Sequence, residues 1–205
     1  IDASSDTPKP LTFQLEGKSR SVYFAAFSPD AVQQIINERL VPQKFKKAKD
    51  IKFAPFSLSK FDSLVQPQLK NNDNSRVIYV PDPKQVPFAE ELLIDQGASR
   101  KDAQTVSTRF PTVFCPSPSI RATPNEGPLK GQTFVPCSTD YKSVKNLIDR
   151  GMSSNSEVNS LKPKVVAIPL PNFASVLVKS SKDSVGELRV LPNPANIKAL
   201  KMLNK

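Results

Sequence analysis

Cys115 and Cys137 are the only two cysteines in this 205-residue chain, and histidine is absent altogether. The lack of histidine removes the usual general base, the usual proton shuttle and the commonest metal ligand. Two cysteines make at most one bridge, and neither their spacing nor their neighbours form a metal-binding pattern. They read either as small buried strand residues or, in an oxidising compartment, as a disulfide between neighbouring strands. The six glycines form no phosphate-cradling loop. Glu90 and Glu91 are adjacent on what reads as an exposed helical face, so they do not oppose another carboxylate. The expectation is a chain with no catalytic, metal-binding or cofactor-binding residues.

What remains is apolar surface. Twelve phenylalanines and no tryptophan make an uneven choice of aromatics. In the run Val22 to Phe27, and again in Ile51 to Phe56, both phases of the strand alternation carry apolar residues. A sheet flanked by helices on two sides explains that pattern. The alternative is a face left open as a groove for extended or apolar polypeptide. On that alternative the candidate binding residues are Phe24, Phe27, Phe56 and Phe61 in one half of the chain, and Phe134 and Phe173 in the other.

Composition narrows the partners. Hydrophobic residues make up 38% and charged residues 23%, as in a globular chain that stays in water. The apolar runs are too short to span a bilayer. The formal net charge of +10 fits either a well-solvated surface or an anionic partner, such as a membrane surface or an acidic protein. Nucleic acid would require clustered cations interleaved with aromatics. The densest cluster, Lys44, Lys46, Lys47, Lys49 and Lys52, contains only Phe45. No nucleic-acid partner is expected.

The elements that position these residues recur. Strand Val22 to Phe27 leads into Ser28-Pro29-Asp30, a helix start with a hydroxyl cap and a proline at the first helical position. Ala31, Val32, Ile35, Ile36 and Leu40 then share one helical face. Strand Thr133 to Cys137 leads likewise into Ser138-Thr139-Asp140, followed by Tyr141, Val144, Leu147 and Ile148, with Gly151 as a stop. Val32, Ile35 and Ile36 meet Val144, Leu147 and Ile148 at an offset of 112, and Asp30 meets Asp140 at 110. Leu58, Phe61 and Ser63 meet Leu170, Phe173 and Ser175 at 112. Pro81-Asp82-Pro83 meets Pro192-Asn193-Pro194 at 111. Asp82 and Asn193 read as caps of the helices that follow, and Pro81 and Pro192 as strand ends. An ordered series at nearly constant spacing is the signature of internal duplication. The expectation is an α/β fold of two pseudo-symmetric repeats, each a small mixed sheet of order β-β-α-β-α-β-α. Residues 1–10 read as a mobile N-terminus, 11–96 as the first repeat, 97–109 as a linker with a helical turn from Ser99, and 110–205 as the second repeat.

The same order carries a family resemblance. Strand-SPDA-helix, a strand followed by Leu-x-x-Phe, "VIYVPDPKQV", "FPTVFCPSP" from Phe110, "VVAIPL" from Val165 and the ending "LRVLPNPANIKAL" run in sequence from Ser21 to Leu203. Together they resemble the twenty-two-kilodalton subunit family of the chloroplast inner-envelope translocon (Tic) and its cyanobacterial and apicoplast relatives. The first repeat departs from the family in lacking a clear "VPVF" strand. The resemblance implies a non-enzymatic, chaperone-like polypeptide-binding role in protein translocation across a double envelope. Its setting would be the plastid intermembrane space, or a cyanobacterial periplasm or thylakoid region. The implied partners are unfolded precursor proteins and outer-membrane barrel or translocon components, with peripheral membrane association. The rival expectation is a basic structural adaptor that docks to membrane-protein domains or to an anionic membrane surface.

Overall fold

The computed structural model describes residues 10–15, 18–40, 58–71, 75–179, 188–193 and 196–198. The fold is mixed α/β, and the chain divides into two compact units, Ile1–Val80 and Pro81–Leu203. Among the described residues no helix is long and apolar enough to cross a membrane.

Among the described residues the first unit holds a three-stranded sheet of order β1-β2-β3, from β1 (Leu11–Leu15), β2 (Lys18–Ala26) and β3 (Ser75–Val80). β2 runs antiparallel to β1 and parallel to β3. Ser28 caps α1 (Pro29–Ile35) by accepting from the Ala31 N–H at 3.1 Å, and a π-helical turn, Ile36–Leu40, follows. The doubly apolar β2 is explained by a cluster on each side of the sheet. Val22, Phe24 and Ala26 pack with Ile35 and Ile36, next to Ile78 and Val80. Tyr23 and Ala25, in the opposite phase, pack with Phe61, Val65 and Leu69 of α2 (Leu58–Lys70). The other doubly apolar run, residues 51–56, lies outside the described residues.

Two phenols sit on the α2 side. Tyr23 donates its hydroxyl to Gln68 Oε1. Burial holds the Tyr23 phenol above its ordinary value of 10.0. Burial, and secondarily the Asp62 carboxylate, does the same for Tyr79. The folded state therefore favours the protonated phenols. Their contribution is complete below pH 10.0, the ordinary value, and is lost as pH rises through the raised ones. Stability should fall in step with phenolate absorbance only above that pH. Folded-state phenols that titrate at the ordinary value would contradict this.

Among the described residues the second unit holds a four-stranded sheet of order β6-β4-β5-β7, from β4 (Thr112–Ser117), β5 (Val135–Ser138), β6 (Lys164–Pro169) and β7 (Leu188–Leu191). β4 is antiparallel to β5 and β6, and β5 is parallel to β7. Phe114, Val165 and Ala167 face a cluster built by α3 (Val86–Asp95), α4 (Arg100–Arg109) and α5 (Tyr141–Ser154). α7 (Leu170–Lys179) packs against β4 and β6 without joining that cluster.

Several expectations change here. The 97–109 stretch, read as a linker, contains the full helix α4, capped by Ser99 and burying Ala103 and Ser107. Gly151 does not stop α5, which runs on to Ser154. A Cβ at Gly151 would approach Val158 Cγ1 of α6 (Ser156–Leu161) to 3.3 Å, so the missing side chain lets the two helices close up. Asp82 is buried and accepts from the Lys84 N–H at 3.0 Å, forming a turn ahead of α3, whose own N-cap is Gln85. Gln85 reaches the start of α5: it donates to Asp140 Oδ1 at 2.9 Å and accepts from the Tyr141 N–H at 3.0 Å. The Phe88 and Tyr141 rings then stack at 4.6 Å. Those contacts fix α3 against α5, and so fix where α3 ends.

Candidate binding cleft

The end of α3 is a full Schellman turn. Gly97 takes φ 97°, which a residue with a side chain adopts only under strain. Its N–H donates to the Ile94 carbonyl and the Ala98 N–H to the Leu93 carbonyl, both at 2.9 Å. This turn swings the chain from α3 into α4 and leaves an open cleft of about 410 Å³ in the second unit. One wall comes from Leu93, Ala98, Val106 and Phe110. The other comes from Ile168 and Pro169 at the end of β6, with Pro171 and Asn172 in the first turn of α7. The lining is mostly carbon, with Asp102, Gln96 and Asn172 as polar exceptions.

Asp102 and Gln96 are engaged. Asp102 accepts from the Ser99 hydroxyl at 2.6 Å and its backbone N–H returns to Ser99 Oγ at 3.1 Å, closing a reciprocal cap on α4. Gln96 donates Nε2–H to the Ala167 carbonyl at 3.0 Å and accepts the Ala167 N–H on Oε1 at 2.8 Å. The Arg109 guanidinium lies 5.3 Å from the centre of the Phe110 ring, placing a cation beside the apolar wall. Among the described residues no group of three or more histidine, cysteine or acidic side chains could hold a metal ion. The arrangement can receive an apolar group beside an amide whose donor and acceptor are both taken up by the Ala167 backbone. It contains no paired acid and base.

The aromatic candidates fall elsewhere. Phe61, Phe134 and Phe173 are buried and present no surface. Phe61 belongs to the α2 cluster. Phe134 forms an isolated antiparallel bridge with Ala122 through paired backbone bonds at 2.8 and 3.1 Å. Phe24 is half-buried beside Val22 and Ile35, and Phe27 packs edge-to-face on Tyr79 at 6.3 Å. Phe56 lies outside the described residues, as does the lysine cluster at 44–52. Cys115 and Cys137 are joined in a disulfide between β4 and β5. Sequence reasoning missed the cleft because its two walls come from segments about 70 residues apart. The local signal was Gln96-Gly97-Ala98, a helix stop at the end of an apolar helix.

No family model and no curated protein matches this chain. Solved structures do. Anabaena Tic22, described as a protein of protein transport, superposes with a TM-score of 0.70 at 15% identity, covering 96% of this chain and 88% of its own. The chain has the Tic22 fold. Tic22 from Plasmodium falciparum gives a TM-score of 0.65 at 14% identity, covering 97% of this chain and 91% of its own. At such low identity the likeness is one of fold.

Proposed function

We propose that this chain is a non-catalytic polypeptide-binding component of protein translocation across a double envelope. The observation that carries the reading is the fold shared along nearly the whole chain with Anabaena Tic22, a protein of protein transport. The open apolar cleft supplies a physical means, since it can hold an apolar side chain of a chain that has not folded. The clients are unfolded precursor proteins. The docking partners are outer-membrane barrel or translocon components, with peripheral membrane association. The compartment is the plastid intermembrane space or the cyanobacterial periplasm or thylakoid region. A buried disulfide suits an oxidising space of that kind. We also propose that two duplicated repeats, 11–96 and 110–205, built the chain. The helix caps Ser28 and Asp140 stand 112 residues apart, and β1-β2-β3 and β4-β5-β7 share one antiparallel-then-parallel order.

The charge supports a second reading. Targeting segments are themselves basic, so a carrier at +10 repels them on average and must hold them by apolar contact. The same charge favours an adaptor on anionic lipid or acidic protein domains. Suppression of aggregation of a chemically unfolded client, followed across a salt titration, separates the two. Capture in the cleft should persist at high salt, whereas adaptor binding should weaken steeply. Pro171→Glu on the exposed cleft wall and Phe110→Ala should abolish capture. Leu161→Glu, at an exposed leucine on α6 outside the cleft, should leave it intact. Wild-type protein that fails to suppress aggregation at any salt would sink the reading, and cleft variants that remain active would remove the cleft from it.

A further inference from the structure

We infer that the outer edge of β6 at Ala167 is a strand-addition site for an extended peptide, held shut by the side-chain amide of Gln96. The inference rests on the polypeptide-binding reading and specifies its mode. Among the described residues β6 is a terminal strand of its sheet, and a terminal strand presents every second backbone N–H and C=O outward. Which residues those are follows from the register. Cys115 and Cys137 have Cα atoms 4.4 Å apart, the separation of a pair that exchanges no backbone hydrogen bonds. The backbone groups of Cys115 therefore turn the other way, toward Val166 on β6. Ala167 and Val165, in the opposite phase, point their N–H and C=O away from β4.

Gln96 occupies that position at Ala167. It gives one donor and takes one acceptor, at 3.0 and 2.8 Å. This is the exchange that a residue of an added antiparallel strand would make with Ala167. The amide is thus a stand-in for a peptide group and states the chemistry of the occupant: a backbone N–H and C=O in extended conformation. Gln96 itself is exposed and can swing into water, so an incoming strand replaces its two hydrogen bonds one for one. That exchange is close to neutral. The apolar cleft beside it, with Ile168 and Pro169 on its wall, supplies the net driving force through a neighbouring apolar side chain of the peptide. Pro169 has no N–H, so the ladder is confined to Ala167 and Val165. A short ladder suits a carrier that must release its client.

The test uses the full chain and a fluorescent short peptide of alternating valine and threonine, with a second copy of the peptide N-methylated at every residue. Read by anisotropy, N-methylation should weaken binding about tenfold, because it removes the donors that face β6. Gln96→Met, similar in shape but unable to bridge, should tighten the unmethylated peptide about fivefold. The Ala167 amide should exchange faster with solvent in that variant and be protected again by the peptide. Equal binding of the two peptides to unmodified protein overturns strand addition, and leaves apolar capture standing if the client is still kept from aggregating. Concentration-dependent dimers of the Gln96→Met protein that exclude the peptide also overturn it, by assigning the edge to a second copy of this chain. Failure of the peptide to bind protein that does hold the client overturns it as well.

Discussion

Replacing Phe114 by alanine should remove about 3–5 kcal/mol from the stability of the second unit. Phe114 is wholly buried on β4, in the middle of the sheet. Its strand neighbours are Ala167 on β6 and Ser138 on β5, both small, so neither can move in to fill the space. Its ring meets Tyr141 edge-on at 5.8 Å and 76°, and such aromatic pairs add stability beyond their buried area. Domains of this size hold about 5–15 kcal/mol in all, so the loss should be visible as a large fall in the denaturant midpoint. A fall equivalent to less than about 1.5 kcal/mol would show that the cavity collapses, which requires α5 to slide on the sheet.

The consequence reaches the cleft. Tyr141 is clamped between the Phe114 edge and the stacked Phe88 ring, so truncating Phe114 frees one side of the contact that ties α5 to α3. α3 ends at Gln96 and Gly97. A loosened α3 carries the Gln96 amide away from Ala167 without any substitution in the cleft.

The parts legible in the sequence were those coded by neighbours along the chain. The doubly apolar Val22 to Phe27 run announced a covered strand, and clusters involving α1 and α2 cover it. Asp140 was legible as a cap because its acceptor serves the Ser143 N–H three residues on, at 2.9 Å. On the duplication proposed above, its counterpart is Ser28 and not Asp30, at an offset of 112. The missed parts depend on distant partners or on exchanged polarity. α4 carries only Ala103 and Val106 as apolar residues and turns the polar Ser107 inward, so no apolar stripe marks it. Asp82 looked like a helix cap because an Asx turn and a cap use the same side chain and the same following amides. Phe61, Phe134 and Phe173 looked available because an apolar residue in a local sequence does not tell a packed layer from an open face. Gln96 and Ala167 are 71 residues apart, and nothing in either local sequence links them.

Removing the disulfide should cost about 3 kcal/mol, the chain-entropy value for a loop of this length. The bridge closes a separation of 22 residues. The reason to expect the full value lies in the sheet. β4 pairs with β6 through six registered residues and β5 with β7 through four, but β4 and β5 share one, Phe114 with Ser138. The bridge therefore staples the least paired seam, between the β6-β4 half of the sheet and the β5-β7 half. The double variant Cys115→Ala, Cys137→Ala is the cleaner probe, because both sites are buried and serine would leave hydroxyls there to be satisfied. Native protein unfolded without reductant should show no reactive thiols, and reduction should require prior opening. In the variant, hydrogen exchange should quicken along the β4–β5 seam before the rest of the sheet. A loss under about 0.5 kcal/mol would mean that the entropic gain is offset elsewhere. In that case α5, which packs on both β4 and β5, would be the element that holds the seam.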